Sequence, residues 1–364
     1  LVAKPSRRDA RRAAARPGAA RRPVMDGRDV SAALGIVVIG RNEGERLVRC
    51  LVSIGRNHPV IYVDSGSTDD SVAAAARAGA QVVALDMSIP FTAARARNAG
   101  RAALGGQVAL VQFVDGDCVL DPAWLDHARA ALAGDEGLAA VFGRRRETAP
   151  EASRYNWLCD VEWAVPPGEV RYCGGDVMIR AAALDAAGGY PDEMIAGEEP
   201  DLSIRMRALG WRIACLPYEM TRHDAAITRF GQWWRRALRS GHAYAELAAR
   251  HRGSPLQDYG RRLRGVLFWG GALPATALLL LLSGAILRQP LVILYGCAAL
   301  ALPVLQFARI AWRERRRWPP RDALTLAAFL MLAKPAQTLG ALRYAAGRIG
   351  GRSARIIEYK GVAA

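Results

Sequence analysis

Cysteine and histidine are scarce, and their arrangement excludes two classes of protein. The six cysteines are Cys50, Cys118, Cys159, Cys173, Cys215 and Cys297, none of them in a Cys-x-x-Cys pair, and there are five histidines. A zinc site is therefore not expected and no disulfide framework is implied, and the thiols read as reduced and mostly buried in a cytosolic domain. Residues 1–30 have almost no large apolar side chain and no apolar core of a secretory signal peptide. This Arg-, Ala- and Pro-rich stretch is expected to be a disordered basic tail. Met25 is expected to be the true start, with the upstream residues a misassigned start site.

The middle of the chain also lacks excess positive charge. The formal net charge is +16, but residues 31–260 hold 25 basic and 28 acidic side chains. Residues 1–30 hold 9 basic and 3 acidic, and residues 261–364 hold 16 and 3. A nucleic-acid-binding core would carry its basic patch on the folded domain. The charge here lies in the flanks, so no nucleic-acid partner is expected.

What is present begins at Gly35. Ile36–Ile39, Val60–Val63, Gln81–Leu85 and Val108–Val114 read as short, fully apolar strands. Helical patterns over Glu45–Ile54, Asp70–Ala78 and Thr92–Leu104 separate them. This alternation predicts a doubly wound, Rossmann-like α/β sheet, which binds ligands at the carboxyl ends of its strands. The polar runs Arg41-Asn42-Glu43, Asp64–Asp69 and Asp115-Gly116-Asp117 all fall at such ends. Residues 135–225 read as a second half of mixed structure. A helix is expected there from Pro200 to Leu209, with Asp201 at the positive end of its dipole.

Beyond residue 250 the composition turns to that of a membrane protein. Residues 266–287 are uncharged and span about 33 Å as a helix at ~1.5 Å per residue, enough for a hydrocarbon core of ~30 Å. Residues 291–310 form a second expected span, with Arg309 close enough to its end to snorkel. Residues 323–342 are expected to be interfacial or re-entrant. Their Leu and Phe side chains gain on the order of 2–4 kcal/mol, whereas Lys334 alone costs about 3 at the centre of a span. The arginines before the first span and after the second predict a cytosolic α/β domain and C-terminus in a multi-pass protein of the inner or plasma membrane. The expected domains are therefore a tail over 1–30, an α/β domain over 31–250 and a membrane domain over 251–364 with a basic C-terminal tail.

The motifs carry the chemistry. Arg41-Asn42-Glu43, Val63-Asp64-Ser65-Gly66-Ser67-Thr68-Asp69, Asp115-Gly116-Asp117, Gly188-Gly189-Tyr190 and Glu198-Glu199-Pro200-Asp201-Leu202 follow one another in that order. Together they resemble inverting family 2 glycosyltransferases of the GT-A fold, over roughly residues 35–245. The resemblance implies that Asn42 and Glu43 line a nucleoside pocket. Asp64 and Ser65 would shape it around a base, commonly uracil. Asp115 would face the ribose and share a metal, Mn2+ or Mg2+, with Asp117. That ion would offset charge on a departing diphosphate. Arg95, Arg97 and Asn98 match a helix that approaches the nucleotide. Gly175 and Asp176 match a stretch facing the donor sugar and the acceptor, and His223 could add a metal or diphosphate ligand.

Glu199 takes the place of the family's aspartate as the base that deprotonates the acceptor hydroxyl. Its extra methylene leaves Glu198 open as the base, while Asp201 reads as a helix-start charge. Gln232-Trp233-Trp234-Arg235-Arg236 half resembles the Gln-x-x-Arg-Trp motif of processive synthases. Arg236 stands where Trp is expected, which favours transfer of a single sugar. Trp233, Trp234 and Arg235 remain candidates for acceptor binding or for a membrane-interface anchor.

The expected activity is transfer from a nucleotide-sugar donor, a UDP-sugar first, to a lipid-linked or envelope glycan acceptor. Two other classes stay open. A sugar-nucleotide nucleotidyltransferase would need a Gly- and Arg-rich loop after the first strand, and Arg41-Asn42-Glu43-Gly44 lacks it. A non-catalytic nucleotide-sugar-binding membrane adaptor would not need both the metal-type and base-type carboxylates.

Overall fold

The protein is described by a computed structural model covering residues 33–351 and Ile357. The expected basic tail, Met25 and the basic side chains Arg352, Arg355 and Lys360 lie outside the described residues. The chain divides into two compact units, Leu1–Thr228 and Arg229–Ala364.

The first unit is a mixed α/β sheet. In chain order it contains β1 (Leu34–Gly40), α1 (Glu45–Ile54), β2 (Val60–Asp64), α2 (Ser71–Arg77), β3 (Gln81–Ala84) and α3 (Ala93–Ala103). Next come β4 (Leu110–Asp115), β5 (Cys118–Leu120), α4 (Trp124–Gly134), β6 (Leu138–Glu147) and α5 (Arg154–Trp163). The unit closes with β7 (Gly168–Val170), β8 (Val177–Arg180), α6 (Ala181–Ala186), α7 (Glu198–Ala208) and β9 (Arg212–His223). The strand order is β3-β2-β1-β4-β8-β6-β9-β5, with β7 on β9.

The four expected strands pair in parallel as β3-β2-β1-β4. Ile36, Val37 and Val38 are fully buried, as a strand covered on both faces requires. The later strands make the sheet mixed, since β8 runs antiparallel to both β4 and β6. Strand order reverses between β1 and β4, and the register aligns the strand ends there. Gly40 pairs with Asp64 on one side, and Ile39 with Asp115 on the other. An open α/β sheet has its ligand crevice at such a reversal.

Helix α3 lies close on this sheet because Gly100 has no side chain. A Cβ there would collide with the Val37 side chain. The same helix carries Arg97, so its close seating brings a guanidinium to the end of β4.

The second unit contains α8 (Phe230–Arg250), α9 (Tyr259–Leu267), a π turn (Phe268–Ala272), α10 (Leu273–Ile286), α11 (Pro290–Glu314) and α12 (Pro320–Ile349). Helix α8 falls in this unit although it precedes the 250/251 boundary read from the sequence. Its backbone touches that of α12. A Cβ on Gly241 would strike the Gln337 carbonyl, and one on Gly340 the Leu238 carbonyl. Small residues that admit close backbone contact are a common means of packing helices in membranes.

Three helical stretches are long and apolar enough to cross a membrane: Tyr259–Ile286, Pro290–Glu314 and Pro320–Ile349. The first two contain the expected spans at 266–287 and 291–310. The third covers the stretch expected to be interfacial or re-entrant, and α12 runs unbroken through Pro335. Two of its polar side chains near the middle donate hydrogen bonds. Lys334 Nζ donates to Gln337 Oε1 at 3.3 Å, and Thr338 Oγ1 donates to the Val266 carbonyl at 3.0 Å. Half of its apolar window is buried in the protein, against 6% for α11.

Candidate active site

The site grows from the ends of β1, β2 and β4. At the end of β2, Asp64 is buried, and its Oδ2 accepts from the Gly66 and Ser67 amides at 2.9 Å each. Tyr62 donates to the other oxygen at 3.2 Å. The Ser65 amide donates to the Gly40 carbonyl at 3.1 Å. Asn42, in a left-handed conformation with φ of 55°, joins the β1 and β2 loops. Its backbone N–H donates to Ser67 Oγ at 2.9 Å, and its side-chain Oδ1 accepts from the Thr68 backbone N–H at 2.7 Å. Glu43 pairs with Arg46 at 2.9 Å. Asn42, Glu43, Asp64 and Ser65 thus stand together at the strand ends, with several of their polar atoms holding the loops in shape.

At the end of β4, carboxylates and guanidinium groups interlock. Arg97, almost fully buried on α3, donates to Asp115 Oδ1 at 3.0 Å and to Glu198 Oε1 at 2.9 Å. Glu199 Oε1 is 3.5 Å away. Arg145 on β6 lies 2.7 Å from Asp176 Oδ2 and 3.3 Å from Asp115 Oδ2. Its guanidinium stands 5.5 Å from the centre of the Trp163 ring. Asp176 also accepts from the Asp115 amide at 2.9 Å and from Thr221 Oγ1 at 2.7 Å. Two cations therefore hold carboxylates drawn from β4, from the start of β8 and from α7.

The electrostatics sort these acids. Burial alone would raise Asp115, but Arg97 and Arg145 outweigh it and hold the group below its ordinary value. Burial dominates at Asp176 and raises it despite Arg145. Burial, and then the neighbouring Glu198 charge, push Glu199 up to about 7. Glu198 is sealed against Arg97, while the Glu199 side chain keeps a fifth of its surface exposed.

Asp115, Asp117, Cys118 and His223 place one ligand atom each within 4.8 Å of one another. Two ligands on opposite sides of a divalent ion, each ~2.1–2.4 Å from it, are about 4.2–4.8 Å apart. The donor set and its spread therefore fit such an ion. His223 Nε2 stands 3.3 Å from Asp117 Oδ1, and its ring packs edge-on against Trp163 at 4.6 Å between centroids. Gly175 closes the floor. A Cβ there would collide with the Arg97 guanidinium and come within 3.2 Å of Asp115 Oδ2 and Glu199 Oε1.

Several expected residues are held elsewhere. Arg95 turns its guanidinium to the Asp86, Ile89 and Pro90 carbonyls at 2.8–3.1 Å, which braces a loop. Asn98 Nδ2 donates to the Tyr190 carbonyl and to Asp192 Oδ1, each at 2.7 Å, and its Oδ1 accepts from the Tyr190 amide at 2.9 Å. Both side chains support the walls of the crevice. Asp201 is buried and bonded to Arg205 Nε at 2.7 Å, and Arg205 also donates to the Gly189 carbonyl at 2.7 Å. Trp233, Trp234 and Arg235 stand on α8 in the second unit, where the Trp233 ring is buried edge-on against Phe329. Packing within that unit therefore takes the indole that an interface anchor would expose.

Arg145 and Cys118 were missed in the sequence. Cys118 directly follows the Asp115-Gly116-Asp117 motif, so chain adjacency alone places it at the site, whereas Arg145 lies in no local motif and is brought in by the pairing of β6 with β9.

Comparison with known proteins bears on the family and the fold. Residues 35–172 match the model of Glycosyl transferase family 2. An uncharacterized glycosyltransferase of Mycobacterium tuberculosis is 28% identical over 193 residues, half of this chain and 82% of its own. The pre-mycofactocin glycosyltransferase of the same organism is 28% identical over 231 residues, 59% of this chain and 47% of its own. Among solved structures, the mannosyltransferase PcManGT from Pyrobaculum calidifontis in complex with GDP-Man and Mn2+ shares the fold. It aligns over 88% of this chain and 91% of its own, with 18% identity and a TM-score of 0.54.

Proposed function

From the premise that this chain is a glycosyltransferase with a family 2 domain at residues 35–172, we propose a metal-dependent, inverting transfer with Glu199 as the general base. The donor is a nucleotide sugar, a UDP-sugar first, and the acceptor is a lipid-linked or envelope glycan hydroxyl. The observation that carries this reading is the position of Arg97. It ties Asp115 at the strand end to Glu198 and leaves the adjacent Glu199 unsealed, at about 7.

The crevice suits a nucleoside diphosphate. Asp64 and Asp115 flank the end of β1 on either side, two strand spacings or roughly 10 Å apart. The base would sit by Asn42, Asp64 and Ser65, and the diphosphate by Asp115 and Asp117. Asp115, Asp117 and His223 would hold a divalent ion, Mn2+ or Mg2+, which supplies positive charge against the diphosphate. Glu199 takes the proton of the acceptor hydroxyl. The hydroxyl oxygen bonds to the anomeric carbon as the bond from that carbon to the diphosphate oxygen breaks. The nucleoside diphosphate leaves with the bonding pair, and the anomeric configuration inverts.

The C-terminal helices would hold the domain at a membrane, which favours a lipid-linked acceptor. Arginine placement supports a cytosolic domain. The test is a thermal-shift screen of nucleotide sugars with Mn2+, then product analysis with acceptor-rich membranes. A ligand at a hundred times its Kd adds about 2.7 kcal/mol of apparent stability. Release of a nucleoside diphosphate and loss of turnover in Asp117→Asn or in excess EDTA are expected. Release of pyrophosphate would mark a nucleotidyltransferase, donor binding without turnover an adaptor, and full activity in EDTA would remove the metal.

A further inference from the structure

Cys118 brings soft chemistry into a site otherwise built for hard cations. Its Sγ is 3.8 Å from Asp117 Oδ1 and 3.2 Å from Asp176 Oδ2. The pairing of β5 with β9 sets Cys118 opposite His223. With Asp115 it completes the four-residue cluster whose ligand atoms lie within 4.8 Å of one another. Carboxylate oxygens suit Mg2+ and Mn2+, whereas a thiolate selects softer ions. Two oxygens, one imidazole nitrogen and one sulfur also fill the four positions of a tetrahedral zinc-type site.

We infer that Cys118 makes this site bind thiophilic divalent ions, Zn2+ and Cd2+, in a closed and inhibitory form. The inference rests on the divalent-metal reading above. A hard ion is held through Asp115, Asp117 and His223, with Cys118 left as a hydrogen-bonded thiol. A soft ion draws Cys118 in as the fourth ligand. The sulfur–metal bond forms as the thiol proton passes to solvent, and no electron is transferred. With all four positions taken by the protein, no position is left for a diphosphate oxygen. Soft ions therefore compete with the activating ion and do not replace it in turnover.

The test uses the full chain in detergent. Cys297 is the exposed cysteine, so a Cys297→Ser background removes its thiol from the signal. Cd2+ is titrated while sulfur-to-cadmium charge-transfer absorption is followed in the ultraviolet. Mn2+ binding is measured separately by the loss of the free-ion electron paramagnetic resonance signal. The expected result is a saturating Cd2+ band that disappears in Cys118→Ser, with Cd2+ affinity about 10- to 100-fold weaker. Mn2+ affinity should stay within about threefold, since a hard ion draws little on sulfur. Cys118→Ala is a second variant in case a buried serine hydroxyl disturbs folding, and circular dichroism checks both. A band that survives both substitutions, or equal losses of Cd2+ and Mn2+ affinity, overturns the role of Cys118. Mn2+ binding with no Cd2+ band in the parent overturns it too and leaves the metal reading standing. Failure of the parent to bind either ion defeats both.

Discussion

Arg97 bonds to Glu198 at 2.9 Å, while the next residue, Glu199, stands 3.5 Å from the same nitrogen. This difference separates two carboxylates that the sequence leaves equivalent. Glu198 is part of a buried pair, and removing one partner of such a pair leaves the other charge uncompensated. Glu199 is the one left to exchange a proton. Glu199→Gln should therefore bind donor nearly as the parent does and lose on the order of 10²- to 10⁴-fold in turnover, the usual share of a general base. Glu198→Gln should mainly lower stability, and Asp201→Asn should weaken the Arg205 bond with a smaller effect on rate. Donor calorimetry, transfer rates and denaturant melts on the three variants make the comparison. A dead Glu198→Gln enzyme beside an active Glu199→Gln enzyme would reverse the assignment.

The Glu199 carboxyl also predicts two pH profiles. As a base it must be ionised, so kcat/KM should rise with pH and level off above about 7, and Glu199→Gln should remove that limb. Stability runs the other way. The group is raised from 4.5 to about 7 on folding, so between these values the folded chain holds a proton that the unfolded chain has released. Its stabilising contribution is complete below 4.5 and is lost as pH rises through 7. Relative to the parent, Glu199→Gln should gain stability between pH ~5 and ~8. Paired denaturant curves at the two values check this, and a constant difference between them would count against a raised Glu199.

How much of this was legible depends on how local each signal is. The ends of β1, β2 and β4 were readable because each is a short apolar run closed by its own polar motif. Arg97 was named beside Arg95 and Asn98, but nothing local separated the three. Residues two apart on a helix point about 200° apart, so Arg97 enters the site as Arg95 turns to a loop. Only the seating of α3 on β1 decides which does which. Arg145 was invisible because β6 reaches the site through pairing with β9, a contact between distant parts of the chain, whereas Cys118 stands next to Asp117 in the sequence and was overlooked because a thiol is no part of the carboxylate motif. At Lys334 the sequence supplies only the insertion cost of an isolated side chain, whereas in the folded unit it bonds to Gln337 on an unbroken helix.

Gly175 is required by space. The methyl of Gly175→Ala would collide with the Arg97 guanidinium and crowd Asp115 and Glu199. Arg97 would have to shift and take its two carboxylate partners with it. A misplacement of about 1 Å can cost 10²-fold in rate, and overpacking typically costs about 1–3 kcal/mol. We expect kcat to fall about 10²-fold with a stability loss in that range. Wild-type kcat in a folded Gly175→Ala protein would show that the close packing around Arg97 does not matter for turnover.

The membrane arrangement separates two readings of α12. Helices α10 and α11 face outward with Leu279, Ile286, Leu291 and Val304 more than 60% exposed, a surface that hydrocarbon would cover. Half of the apolar window of α12 is already buried in the protein, which leaves less of it for lipid. With the stretch over residues 266–287, which ends in α10, and α11 as the two spans, Arg313, Arg315, Arg316 and Arg317 fall on the same side as Arg261, Arg262 and Arg264, as the positive-inside rule requires. If α12 crossed as a third span, Arg348, Arg352, Arg355 and Lys360 would lie on the opposite side, against that rule. We predict that a cysteine placed after Lys360, in a Cys297→Ser background, escapes an impermeant thiol reagent in intact cells and reacts once the cells are opened. A cysteine at Arg288, in the turn between α10 and α11, should react in intact cells. Reaction of both from outside would make α12 a third span, and reaction of neither would place α10 and α11 outside the bilayer.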